Sequence, residues 1–328
     1  MLFEWITLIA SLVVLGISAN YLVHSSVKIA RIFGISEMLI GLTLVAWGTS
    51  APEIAVSVNA ALDGKGALSV GNVIGSNIFN LGFILGIVAI IANQKIHKKM
   101  VYRDGTVLAL STILVLAFVW DNHVSMWEGI IMIGLLLSYA TYLFIKKGIP
   151  TDELEDLEKA TELPEPKIKK DNKWLLIIIF FASLYVLVKA SDATVEAATA
   201  IALAFGISEW AIGVTIVAAG TSLPEVATSV IATMKRKFDL SIGNVIGSDI
   251  FNALGIIGIS AIVAPLTLTS QNEIFGLPDY IFSQLLLIAT LALILFFMRT
   301  RWTLSRNEGI ILLIIAIGRM GFEIYLGM

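Results

Sequence analysis

No cysteine occurs anywhere in the 328 residues, which excludes disulfides, thiolate metal sites and cysteine nucleophiles. Histidine is nearly as scarce: His24, His97 and His123 are scattered without metal-ligand spacing and read as surface or interface residues. Charge is thin as well. Asp, Glu, Lys and Arg make up 14% of the chain, against about a quarter in an ordinary soluble domain. The net charge of −3 points to no particular partner, and no basic, aromatic-rich patch speaks for nucleic acid. The N-terminal segment has Glu4 where a basic n-region would sit, and no clear cleavage site follows, so no cleavable signal peptide is expected.

What fills the chain is apolar: 57% of residues are hydrophobic and the mean hydropathy is +0.90. Many runs reach about 20 residues, enough to cross a bilayer as a helix. The expected fold is therefore an all-α polytopic membrane protein, its immediate partner the lipid bilayer. Ten candidate spans run approximately over 3–33, 37–62, 67–93, 103–120, 126–147, 174–205, 209–234, 240–265, 278–298 and 307–325. Between the fifth and sixth lies "GIPTDELEDLEKATELPEPKIKKDNK", residues 148–173, whose prolines and mixed charge mark a solvated linker.

The two halves match at a constant offset of 172. "GISEMLIGLTLVAWGTSAPEIAVSVNA" from Gly34 aligns with "GISEWAIGVTIVAAGTSLPEVATSVIA" from Gly206, 18 of 27 positions being identical. Without a gap, "SVGNVIGSNIFN" from Ser69 then meets "SIGNVIGSDIFN" from Ser241, with 10 of 12 identical. Shared Pro, Glu, Asn and Gly at one offset mark an internal repeat.

Five spans per half is an odd number, so the second half is expected to enter the membrane from the opposite side. Loop charge agrees. Lys28 and Arg31, Lys95 to Arg103, Lys146 and Lys147 with the linker, Lys235 to Lys237, and Arg299 to Arg306 fall on one set of loops; the alternate loops carry almost none, Lys65 excepted. The positive-inside tendency then places both termini outside and the linker in the cytoplasm of a multi-pass cell-membrane protein. Matching loops also differ in charge: Lys28 aligns with Ala200, Arg31 with Leu203, and "DGKG" with "KRKF". Inverted repeats of this kind belong to secondary transporters, with the site between the repeats at mid-membrane.

The polar centre of each repeat lies inside an apolar span. Pro52 lacks an N–H and its ring clashes with the carbonyl of Gly48, itself a permissive residue, so the second span should break into two half-helices. Its first half would end with the carbonyls of Ala46, Trp47 and Gly48 unpaired and partially negative. Thr49 and Ser50 add hydroxyls, and Glu53 adds a full charge. Such oxygens are what Na⁺ and Ca²⁺ require. Ser50-x-x-Glu53 also reads as a capping box. In two copies at bilayer depth, however, a carboxylate costing roughly 3 kcal/mol or more to insert points to function.

The following segment supplies Asn72, Ser76 and Asn80 at i, i+4 and i+8, a polar stripe that Asn244, Ser248 and Asn252 repeat. Gly71 and Gly75, like Gly243 and Gly247, are spaced for close helix packing. Glu53 and Glu225 are expected to face each other across the pseudo-two-fold. Two such carboxylates in low dielectric need a proton or a cation between them. One Ca²⁺ balances both, whereas Mg²⁺ holds its waters too tightly for a dehydrated cage. Several Na⁺ could take the same oxygens, and that mutual exclusion is itself an exchange mechanism.

At these residues the sequence resembles the sodium/calcium exchanger family of the cation/Ca²⁺ exchanger superfamily. "GTSAPE" and "GTSLPE", with "GNVIGSNIFN" and "GNVIGSDIFN", match its two α-repeats, here 41–80 and 213–252. The short linker is similar to that of microbial members. The resemblance implies a first five-helix repeat over 1–147, the linker, and a second, inverted repeat over 174–328. It implies Glu53 and Glu225 as central Ca²⁺ ligands shared with Na⁺, with Thr49, Thr221, Ser50, Ser222, Ser76, Ser248, Asn80, Asn252 and the carbonyls of Ala46 and Ala218 lining the ion sites. The long first and sixth spans would slide to alternate access. Ca²⁺ and Na⁺ are then cargo, with no organic cofactor, no covalent catalysis and no obligate protein partner.

Three features depart from the pattern or stand outside it. Asn252 replaces the Asp of some relatives, potassium-dependent ones included, which argues against a K⁺ requirement. Asp249 stands where its repeat mate is Asn77, about 100° around the helix from Ser248; it either influences ions or makes a helix–helix hydrogen bond. Lys189, Asp192 and Glu196 in the sixth span suit a local pair network. A Ca²⁺/H⁺ exchanger is the nearest alternative, although that branch typically reads G-N-x-x-E where this chain reads G-T-S-x-P-E. A cation channel is more distant. A membrane enzyme is weaker still, since Ser50 and Ser222 have no histidine or lysine at related positions.

Overall fold

A computed structural model describes residues 2–146, 172–205, 218–269 and 273–326. Nearly all of the expected linker (148–171), and the first nine residues of the expected seventh span (209–217), lie outside the described residues. The described residues are mainly helical. Helix α1 spans Leu2–Phe33; α2 (Glu37–Thr49) and α3 (Ala51–Leu62) follow; then α4 (Gly66–Ile91), α5 (Met100–Val119) and α6 (Met126–Ile145). The second half comprises α7 (Lys173–Ala204), α8 (Leu223–Met234), α9 (Phe238–Val263), α10 (Asp279–Arg301) and α11 (Arg306–Leu326). Among the described residues seven helices are long and apolar enough to cross a membrane, or eight if α2 and α3 form one bent span. Helix α8 covers only the second half of the expected seventh span, and α11 overlies the expected tenth.

The repeat is visible in the element bounds. Helix α3 and helix α8, twelve residues each, begin and end 172 positions apart, as do α4 and α9. Burial sorts the bundle into centre and rim. The apolar windows of α9 and α4 are 89% and 67% buried, whereas those of α1, α6 and α7 are 28–33% buried. The outer helices turn Ile9, Ile17, Leu137, Ile178 and Phe181 outward, exposed and apolar, as a lipid-facing surface requires. The buried serines of α1 are met within the helix, Ser18 and Ser25 donating back to the carbonyls of Val14 and Tyr21.

Helices α1 and α7, both 32 residues long, lie against each other and are tied by Thr194 Oγ1 to Ser11 Oγ at 2.9 Å. Lys189 pairs locally with Asp192 at 2.9 Å on an exposed face. The central helices meet closely through glycine. A Cβ on Gly247 would lie 2.6 Å from the Leu42 backbone, and one on Gly243 2.9 Å from the Met38 carbonyl. Close packing is also expected at Gly71 and Gly75, where an added Cβ would meet no atom of another described element within 4 Å; the segment 172 positions beyond Met38 and Leu42 is 210–214, outside the described residues.

Short strand pairs fasten the ends. Strand β1 (Gln94–Lys95) pairs with β4 (Thr303–Leu304), and β2 (His123–Val124) with β3 (Leu266–Thr267). At the first end Lys98 lies 5.2 Å over the Trp302 ring, Lys237 Nζ reaches Glu37 at 3.2 Å, and His97 Nε2 reaches Asp239 at 3.2 Å. Gln94, just past the C-terminus of α4, donates to Thr233 at the C-terminus of α8, and Thr233 in turn hydrogen-bonds Ser241 in the first turn of α9. Conversely, Gly66 at the start of α4 abuts Thr267 just past the end of α9.

Candidate ion-binding site

The broken span forms as Pro52 dictates. Helices α2 and α3 meet at Ser50 with a bend of 49°. One detail of the expectation is corrected: the Ala46 carbonyl is not left bare, because the Ser50 N–H reaches it at 3.1 Å and the Thr49 hydroxyl at 3.2 Å. The break is a single residue wide, too narrow to orphan that carbonyl. Ser248 Oγ also donates to it, from α9, at 3.4 Å.

The capping-box alternative fails on geometry. Neither Ser50 nor Ser222 caps its helix with its side chain, unlike Ser125, which forms a reciprocal box with Glu128 at the start of α6. Each serine instead crosses to the other half. Ser50 Oγ donates to Glu225 Oε1 at 2.9 Å, and Ser222 Oγ donates to Glu53 Oε1 at 2.9 Å. Glu53 and Glu225 are 1% and 0% exposed and near enough for their charges to interact. Thr221 also approaches Glu53, while Thr49 and Ser248 approach Glu225.

The asparagine stripes hold this centre from both sides. Asn72 Nδ2 donates to Ser57 Oγ at 2.9 Å and to the Glu53 carbonyl at 3.4 Å. Its mate Asn244 donates to Ser229 Oγ at 3.0 Å and accepts from Thr49 Oγ1 at 3.4 Å. Ser57 and Ser229 were not among the expected site residues. Their signal was present, since each stands four positions after its glutamate in both repeats, one turn along the same helix face.

One turn further on, Asn80 Nδ2 donates to Asp249 Oδ1 at 2.9 Å and Asn252 Nδ2 to Asn77 Oδ1 at 3.0 Å. Both Asn80 and Asn252 sit in π-helical turns, Asn80–Ile84 and Phe251–Ile256, a distortion that often accompanies functional sites. Ser76 is buried beside them on α4. Ala218 opens a three-residue helical turn, Ala218–Gly220, ahead of Ser222.

The chemistry of the cluster lies in its unused atoms. Glu53 Oε2, Glu225 Oε2, Asn80 Oδ1, Asn252 Oδ1 and Asp249 Oδ2 are buried without a hydrogen-bond partner among the described residues. All are acceptors, and a buried acceptor left unmet costs about 1–3 kcal/mol, more when charged. A hard cation satisfies such oxygens at once. Among the described residues no three His, Cys, Asp or Glu side chains gather as one metal-binding group. The two central carboxylates would therefore be completed by hydroxyl, amide and carbonyl oxygens, as hard-cation sites allow.

A helical membrane bundle with helix breaks and paired carboxylates at its centre has the makings of a cation transporter. Comparison with known proteins sharpens this. The family model "Sodium/calcium exchanger protein" matches residues 3–145 and 175–324. The chain is 37% identical over 321 residues to the putative antiporter CaxA of Alkalimonas amylolytica, covering 97% of this chain and 98% of that protein. It is 30% identical to the sodium/calcium exchanger MaX1 of Methanosarcina acetivorans, with 94% and 95% coverage. The solved structure of the sodium-calcium exchanger NCX_Mj soaked with Na⁺ and Ca²⁺ superposes with a TM-score of 0.81 at 27% identity, covering 98% of both chains. The chain belongs to the sodium/calcium exchanger family.

Proposed function

We propose that this protein is a secondary antiporter that moves Ca²⁺ against Na⁺ by alternating access, both ions using the central oxygen cluster. The observation that carries this is the reciprocal pair Ser50–Glu225 and Ser222–Glu53, with one carboxylate oxygen of each glutamate left unpartnered. Glu53 and Glu225 would bind Ca²⁺ directly. Thr49, Thr221, Ser50, Ser222, Ser76, Ser248, Asn80, Asn252 and the carbonyls of Ala46 and Ala218 complete the proposed set. Na⁺ coupling draws support from MaX1 and NCX_Mj, both named as sodium/calcium exchangers.

Ten spans in two inverted repeats of five, over 1–147 and 174–328 with the linker between, form the proposed architecture. Its support is the antiparallel setting of the matched helices: the end of α4 reaches the first turn of α9 through Thr233 of α8, and the start of α4 meets the segment just past the end of α9. The paired long helices α1 and α7 suit a sliding element. The basic loops containing Lys95, Lys98, Lys237 and Arg306 gather at one end of the bundle, which favours a cytoplasmic linker and external termini.

The test is ⁴⁵Ca²⁺ uptake into proteoliposomes loaded with Na⁺, K⁺ or acid, comparing the native chain with Glu53→Gln and Glu225→Gln. Strong uptake is expected only with internal Na⁺, and each Gln variant should be nearly silent. Uptake driven equally well by a pH gradient alone would transfer the reading to a Ca²⁺/H⁺ exchanger, and a requirement for K⁺ to a potassium-dependent one.

A further inference from the structure

Asp249 is a buried carboxylate beside the site, and the repeat supplies its own control for what a plain structural residue at that position does. Its mate 172 positions earlier is Asn77. The bonds Asn80 to Asp249 and Asn252 to Asn77 are mates of one another, at 2.9 and 3.0 Å. An asparagine oxygen therefore accepts this bond as well as a carboxylate oxygen does. The charge at 249 is surplus to the hydrogen bond.

The carboxylate also forgoes a contact. Asn77 Nδ2 donates across the repeats to the Asp249 carbonyl at 3.1 Å. By the same pseudo-symmetry an asparagine at 249 would donate to the Asn77 carbonyl, and an ionised aspartate has no hydrogen to give. Asp249 is 0% exposed and its Oδ2 has no partner among the described residues. Two further unpartnered oxygens, Asn80 Oδ1 and Asn252 Oδ1, belong to the same hydrogen-bonded group, and Glu225 lies near enough for its charge to act on Asp249. A buried carboxylate beside a glutamate takes up either a proton or a cation; a proton on Oδ2 could be donated to only one of the two amide oxygens, whereas a cation meets all three unpartnered oxygens at once.

We infer that Asp249 anchors a monovalent alkali-cation subsite, completed by the amide oxygens of Asn80 and Asn252, that stays filled while Ca²⁺ occupies the Glu53–Glu225 pair. The inference rests on the ion-exchange reading above and deepens it. Two carboxylates balance one divalent ion, and the third leaves one negative charge over. Asp249 is thereby a specificity-determining residue, and it sets the second repeat apart from the first.

The experiment is binding of ²²Na⁺ and, in a parallel arm, ⁸⁶Rb⁺ as a K⁺ surrogate, to the purified full chain at saturating Ca²⁺. About one label per protein should remain bound, as charge balance demands, and the arm that retains it names the ion. In Asp249→Asn the label should be lost. There the Na⁺ concentration that half-displaces ⁴⁵Ca²⁺ should shift on the order of tenfold, the scale of losing one charged ligand. Bound ⁴⁵Ca²⁺ on the same sample reports that the variant is folded. Complete loss of both labels from the native chain at saturating Ca²⁺ overturns the inference, whatever the variant does. So does a label that Asp249→Asn keeps. Failure of Na⁺ to displace ⁴⁵Ca²⁺ from the native chain falls instead on the Na⁺-coupled reading.

Discussion

Ser50 donates its hydroxyl hydrogen to Glu225 Oε1 at 2.9 Å, joining the helix break of one repeat to the carboxylate of the other. Its mate, Ser222 to Glu53, has the same length. The serines therefore orient acids that stand far away in sequence, and each glutamate has one oxygen held and one without a partner among the described residues.

Ser50→Ala and Ser222→Ala should weaken Ca²⁺ binding alike. Each removes a hydrogen bond to a charged group, worth about 1.5–3 kcal/mol, so affinity should fall roughly ten- to a hundredfold. Equilibrium ⁴⁵Ca²⁺ binding in detergent measures this. Unequal losses for the two alanines would contradict the symmetric roles assigned to the serines.

Ca²⁺ should raise the melting temperature of the native chain and leave Glu53→Gln and Glu225→Gln unmoved. A ligand at 100 times its Kd stabilises by about 2.7 kcal/mol, and neither variant retains the paired charge that attracts it. Without Ca²⁺ both variants should melt higher than the native chain, because one of two repelling buried carboxylates is gone. Thermal unfolding with and without Ca²⁺ decides the matter.

Gly247 faces the Leu42 backbone so closely that a methyl would sit 2.6 Å away. Gly247→Ala should cost about 1–3 kcal/mol through overpacking and lower the melting temperature. Gly64 has a φ of 72°, and a methyl there would meet none of the described residues beyond its chain neighbours within 4 Å. Alanine there should act only through backbone strain, roughly 1–2 kcal/mol. Parallel melts of the two variants separate clash from strain.

Lys237 and Glu37 form a largely buried pair between the halves, their side chains 15% and 6% exposed. Lys237→Met should cost about 3–5 kcal/mol by stranding Glu37, at the lower end because Arg31 also acts on that carboxylate. Asp192→Asn breaks a pair that is 60% and 42% exposed and should cost at most about 1 kcal/mol. Equal destabilisation in a melting series would show that burial of the Glu37 pair has no special weight.

Much of this molecule was legible in the chain because membrane burial restricts what polar residues can mean. Hydropathy marked the long helices, the constant offset marked the repeat, and Pro52 with Glu53 inside an apolar run marked both the break and the buried polar cluster. What the sequence left open were the partners. Ser50-x-x-Glu53 is locally a capping box, and only the juxtaposition of the repeats shows Ser50 reaching Glu225 instead. The π-helical turns at Asn80 and Asn252 carry no propensity signal, since they follow from how α4 and α9 pack. Gly71 and Gly243 are identical in sequence context, yet closeness is a property of the neighbour, and only Gly243 has one among the described residues. Local chemistry thus determined which residues belong at the centre, whereas long-range packing decided which of them touch, because a hydrogen bond across 172 positions has no trace in either segment alone.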